Sequence, residues 1–211
     1  MFHLQNETIA LLEDLERRLD AATEDDFAAQ WENFLFHRFD GDLFIPCRKK
    51  VTEPGVSLPS IHINDAIDNL ELMLRAQLAG AACALSSRTL SPCIRANYGT
   101  GILSSLFGAE LYIMPRETNT LPTTRAFNDT KKIRRLLEAG MPSLKNGLGQ
   151  RVFDFGELCA EALAPYPLVQ NMWRSTIPTH RVHWTSLNSC GAARCSTPCT
   201  TSRNWCTDYW S

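Results

Sequence analysis

Residues 92–114 run PCIRANYGTGILSSLFGAELYIM, and the class of fold turns on how they divide. Pro92 to Tyr98 predicts a strand, Gly99-Thr100-Gly101 a turn, and Ile102 onward a short helix closed by Gly108 as its C-cap; a second strand then runs up to Pro115. In α/β folds, the passage from strand to helix is where side chains and free backbone N–H groups meet a ligand. Glycines let the backbone turn sharply and approach a bound group. Arg95, Asn97, Tyr98 and Thr100 supply donors for carboxylates, which makes them candidate substrate-binding residues. Asn97-Tyr98-Gly99-Thr100-Gly101 matches neither the Walker pattern nor the full dinucleotide fingerprint.

Upstream, Leu11, Leu15 and Leu19 share a helical face. Thr23 with Asp26 three residues later predicts a capping box for a second helix carrying Phe27, Trp31 and Phe34, ended by Asp40-Gly41-Asp42. Leu43 to Cys47 predicts a short strand. The basic run Arg48-Lys49-Lys50 follows it, with Arg48 a further substrate-binding candidate at a strand end. Asn64 predicts the N-cap of a helix with Ile67, Leu70, Leu74 and Leu78 inward, closed by Gly80. Downstream, Asn128 or Asp129 caps a helix running to Ala139 and closed by Gly140. Gln150 to Ala164 makes another, with Val152, Phe155, Cys159 and Ala162 or Leu163 inward. Strands alternating with helices predict an α/β fold built on a parallel sheet or barrel.

The chain has 211 residues, 44% hydrophobic and 21% charged, with a formal net charge of −2. That is the profile of a soluble globular protein, and a pI near 6.2 argues against a nucleic-acid or anionic-membrane binder. No stretch is long and apolar enough for a membrane span. Glu7, Glu13 and Asp14 stand where a signal peptide is basic and then apolar, so a cytoplasmic location is expected. Cys47, Cys83, Cys93 and Cys159 lack CxxC spacing and a nearby His, and are expected as small buried apolar residues. His37, Asp40 and Asp42 fit a solvated helix terminus.

Composition changes abruptly near residue 170. Residues 1–170 contain 25 Leu, while residues 171–211 contain only Leu187, together with four of the five Trp and four of the eight Cys. Residues 1–170 carry 17 Lys or Arg against 22 acids and the rest four Arg against Asp208, so charge splits −5 and +3. No apolar period of 3.6 or 2 is sustained after Met172. His180, His183, Cys190, Cys195, Cys199 and Cys206 supply enough ligands for zinc, but only Cys195 and Cys199 have a close structural-site spacing.

CIRANYGTGILSSLFGAELYIM (93–114), LPTTRAF (121–127), IRRLLEAGMPSL (133–144) and GLGQRVFDFGEL (147–158) together resemble the uroporphyrinogen decarboxylase-like superfamily, most closely its branch near the corrinoid methyltransferases. The resemblance implies a (β/α)8 barrel with its cleft at the C-terminal ends of the strands. It also implies decarboxylation of a tetrapyrrole carboxylate without a cofactor, with arginines binding the substrate's acidic side chains and an aspartate holding its pyrrole N–H groups. That aspartate belongs near Asn97 to Gly99, where no acid stands. The methyltransferase branch implies a corrinoid partner and a His and Cys zinc site in the later part of the barrel. The chain is therefore expected to comprise a helical N-terminal extension (1–40), the N-terminal part of such a barrel (41–170) and an irregular tail (171–211). As written it is expected to be inactive, since a barrel takes about 250 residues. The opposing class is a non-enzymatic binding protein whose Cys/His tail holds zinc.

The tail is expected to be out of frame. Taking the third base of each codon with the next two forces Val from Met172-Trp173, Asp from Trp184-Thr185 and Val from Trp205-Cys206. Choosing among degenerate codons elsewhere gives a strand-like VEIYH, a QGPLD turn, and leucines at helical spacing. One base lost, or two gained, near Leu168 to Met172 would produce this.

Overall fold

The computed structural model describes residues 2–176. Helix α1 (Asn6–Arg18) buries Leu11, Leu12 and Leu15 and lies along α4 (Leu70–Leu85). Its polar residues Asp14 and Arg18 are buried as a pair, Arg18 Nη1 donating to Asp14 Oδ2 at 3.2 Å and Nη2 to the Ala82 carbonyl at 2.9 Å. Those bonds satisfy charges that would otherwise be costly to desolvate.

Capping shifts two helix starts from the expected places. Helix α2 (Ala21–Leu35) is capped by Asp20, whose carboxylate accepts the Ala22 N–H at 3.2 Å and the Thr23 hydroxyl at 2.9 Å. Thr23 therefore sits in the first turn rather than before it. The helix stops at Leu35, ahead of Asp40, and His37 carries a positive φ of 55°. Helix α3 (Ile63–Asp68) starts one residue before Asn64, because His62 Nδ1 accepts the Asn64 N–H at 3.2 Å. Asn69 then breaks the chain and starts α4, its side chain accepting from Glu71 and Leu72 N–H at 2.9 and 3.0 Å. Gly80 does not end α4, which continues to Leu85.

The remaining elements are α5 (Ile102–Leu106), β1 (Leu111–Tyr112), a 3-10 turn (Arg116–Thr118), β2 (Thr123–Thr124), α6 (Thr130–Ala139), α7 (Gly149–Ala162) and α8 (Pro167–Thr176). Asp129 caps α6 and Gly140, at φ 75°, closes it, both as expected. Helix α8 runs across the composition break. Glu16 of α1 accepts the Leu168 and Val169 N–H groups at 3.0 Å, a carboxylate on the donors of a helix N-terminus, and Val169 and Met172 enter the core.

The α/β expectation is met only in part. The described residues are mostly helical, with a single two-stranded antiparallel sheet pairing Leu111 with Thr124 and Tyr112 with Thr123. Leu43 to Cys47 forms no ladder. There the Gln30 side chain takes the place of a neighbouring strand, donating to the Cys47 carbonyl at 3.0 Å and accepting its N–H at 2.8 Å. Pro92 to Tyr98 also forms no ladder among the described residues. One core joins Leu11, Leu12 and Leu15 to Leu74, Leu78, Ile94, Phe155, Leu158 and Leu163, so α1 packs into the same interior as the later helices. Of the four cysteines expected inside, only Cys159 is buried; Cys47 and Cys83 are exposed and Cys93 lies between. No described helix is long and apolar enough to cross a membrane.

Candidate functional site

Burial alternates along Pro92 to Tyr98: Pro92, Ile94, Ala96 and Tyr98 are buried, and Cys93, Arg95 and Asn97 are half-buried. A period of two is the signature of extended chain with one face on a core. Ile94, Ala96 and Tyr98 join the core that α1, α4 and α7 line. Arg95 and Asn97 therefore occupy the opposite side. Neither the backbone nor a side chain of residues 93–98 makes a hydrogen bond with any other described residue.

The four residues expected to act together are thus divided. Tyr98 points into the helical layer, fully buried, its hydroxyl without a hydrogen-bond partner among the described residues. Burial pushes its phenol up to about 12, partly offset by the charge of Arg151. Asn97 Oδ1 is also buried without a partner among the described residues, on the side Arg95 shares. Arg95 has no ion pair among the described residues, and Thr100 is exposed in the turn.

Close approach explains the glycines of that turn. Gly99 has φ +78°, and a Cβ on it would lie 2.5 Å from the Pro122 carbonyl oxygen; one on Gly101 would lie 2.8 Å from Thr124 Cγ2. Helix α5 follows, and the Ser104 and Thr124 hydroxyls meet at 2.7 Å. Gly99 to Leu106 is thereby held on the segment that bears β2. Two hollows, of about 710 and 460 Å³, lie elsewhere: one between α5, β1 and the end of α6, the other among α2, Pro92 and α8.

Arg48 does not join Arg95. It is fully buried, its Nε and Nη2 donating to the Glu24 carboxylate at 2.7 and 3.0 Å, and its Nη1 to the carbonyls of Ala84, Ser87 and Leu90 at 3.0, 2.6 and 2.9 Å. Its ring-facing side stacks over Phe27 at 4.6 Å. Every edge of the guanidinium fork is committed within the chain, which ties α2 to the end of α4. Its role here is to join helices. Glu24, its partner, was not singled out in the sequence, where it is one acid among several on α2. Asn64, expected only as a cap, holds the Met114 carbonyl through Nδ2 at 3.1 Å and leaves Oδ1 buried and unpartnered.

Among the described residues no three His, Cys, Asp or Glu side chains are grouped to hold a metal. His180, His183 and the four tail cysteines lie outside the described residues. His37, Asp40 and Asp42 are exposed. Compared with known proteins, the chain matches no family model, no curated protein and no solved structure.

Proposed function

We propose that this chain is the N-terminal part of a uroporphyrinogen decarboxylase-like (β/α)8 barrel, that Arg95 and Asn97 belong to the carboxylate-binding wall of its cleft, and that the chain as written does not turn over. The supporting observation is the segment Pro92 to Tyr98. It packs one face on helices, turns its polar face away from them, and finds no ladder partner among the described residues. A barrel strand that has lost its neighbours would have these properties. Its polar face is the one a barrel directs inward, and its C-terminal end, where Asn97 and Thr100 lie, is the end at which barrels bind ligands.

The chemistry of binding follows from the donors. A guanidinium holds a carboxylate through two parallel N–H bonds, and an amide beside it adds a third contact. Proton handling is another matter. The resemblance places an acid near Asn97 to Gly99 for the pyrrole N–H groups, and an amide there cannot carry the negative charge that holds them. Binding without turnover is the result.

Titration of the full chain with uroporphyrin, the fluorescent oxidised octacarboxylate, tests this. Saturable binding should weaken about tenfold with Arg95→Ala, the loss of one charge-assisted contact, and uroporphyrinogen should lose no carbon dioxide. Binding indifferent to Arg95→Ala and Asn97→Ala, or decarboxylation at an enzymatic rate, would overturn it. The proposal extends to the reading frame: sequencing of the gene around codons 165 to 211 should reveal a one-base loss or two-base gain near Leu168 to Met172.

A further inference from the structure

Helix α6, TKKIRRLLEA, is sharply two-sided yet buries none of its residues. At 100° per residue, Ile133, Leu136 and Leu137 fall on one side, and Lys131, Lys132, Arg134 and Arg135 on the other. Leu137 is 78% exposed, Ile133 40%, and Met141, just past the Gly140 cap, 68%. An amphipathic helix of a globular domain ordinarily hides such a stripe. Here Ile133 and Leu137 stand in solvent, while Leu136 is half-buried on the hollow beside α5 and β1.

The charge on the opposite side is equally unbalanced. The ten residues hold four cations against Glu138, in a chain whose net charge is −2. None of the four has an ion-pair partner among the described residues. Lys132 instead lies over the Phe127 ring at 4.6 Å and reaches the Gly108 carbonyl at 3.4 Å. The whole-chain average on which an anionic-membrane partner was set aside conceals this concentration.

We infer that α6 is a docking face for an anionic lipid surface. A helix lying in the interface places its apolar stripe among the acyl chains, while long basic stems reach outward to the headgroups. The side chains on α6 are arranged for that: a narrow stripe of three apolar residues flanked on both edges by lysine or arginine, the free carboxyl of Glu138 lying within the basic side. Each cation near an anionic surface strengthens partition by about fivefold, and Ile133 and Leu137 supply the apolar anchor. The charges line one exposed side of the helix rather than a pocket. That pattern suits a diffuse lipid surface better than a specific acidic peptide. The inference stands on α6 alone and does not depend on the cleft.

Flotation of the full chain with vesicles tests it, since aggregated protein does not float. The chain should rise with vesicles of phosphatidylcholine containing about 30% phosphatidylserine, stay down with phosphatidylcholine alone, and be released by high salt. Leu137→Glu should abolish flotation, and the double variant Lys131→Glu, Arg134→Glu should reduce it at least tenfold. These side chains are exposed, so both variants should keep the far-ultraviolet circular dichroism of the parent. Equal flotation with the two vesicle types, none with either, or no effect of Leu137→Glu would overturn the inference. So would binding to polyglutamate without binding to vesicles.

Discussion

Arg48 and Tyr98 show how far single residues can be read. A cation after an apolar stretch is visible in the sequence, but what it bonds depends on Glu24, 24 positions upstream, and on three carbonyls in and just after the last turn of α4, none of which spacing reveals. Tyr98 was grouped with its neighbours by proximity in sequence, and a period of two would have placed it on the opposite face. Its environment yields a pH prediction. The native state holds the phenol proton until about pH 12, against an ordinary value of 10.0. Below pH 10 both states are protonated and stability is full; as pH rises from 10 toward 12 only the unfolded state ionises, so stability falls. Two units correspond to about 2.7 kcal/mol. Tyr98→Phe should remove this alkaline loss and, because it deletes a buried hydroxyl with no partner, should leave stability at neutral pH unchanged or raised by up to about 1 kcal/mol. Denaturant unfolding at pH 8 and at pH 11 measures both. An equally steep alkaline decline in the variant would sink the assignment.

Elements were legible where local chemistry governs them. Asp129 and Gly140 bracket α6, and Phe155, Cys159 and Ala162 of α7 are inward as their spacing predicts, with Leu158 buried beside them and Val152 only half-buried, because caps and periodicity act within a few residues. Reading failed where two local signals competed: Asp20 against Thr23, and His62 against Asn64. Gly80 misled for a different reason. A glycine ends a helix only if the chain adopts a positive φ there, and Gly80 does not appear among the positive-φ glycines of the described chain. It lies inside α4 on the exposed side, and a Cβ added to it would meet nothing within 4 Å. Gly80→Ala should therefore stabilise the protein by about 1 kcal/mol through helix propensity alone. A thermal melt in which the variant unfolds at or below the parent temperature would show that the helix does not persist through this position in solution.

The whole molecule is where the sequence was least informative, because a sheet is a property of neighbours and not of a segment. Pro92 to Tyr98 carries strand-like alternation and is extended, but no neighbour pairs with it among the described residues. A buried backbone group without a partner costs about 1–3 kcal/mol, and those of Ile94, Ala96 and Tyr98, at most 4% exposed, have none among the described residues. Among the described residues the segment is held by the apolar contacts of its inward side chains and by no hydrogen bond. Native-state hydrogen exchange separates the two. The amides of Ile94, Ala96 and Tyr98 should exchange at least about a hundredfold faster than those of Leu74 and Leu78, which share the same core but lie within a helical ladder. Under the proposed frameshift, a variant with the frame altered by one base near Leu168 to Met172 should slow the first group toward the second and leave Leu74 and Leu78 less affected. Protection of Ile94, Ala96 and Tyr98 equal to that of α4 in the 211-residue chain would mean that the chain already pairs this strand, and with that the case for missing neighbours would fall.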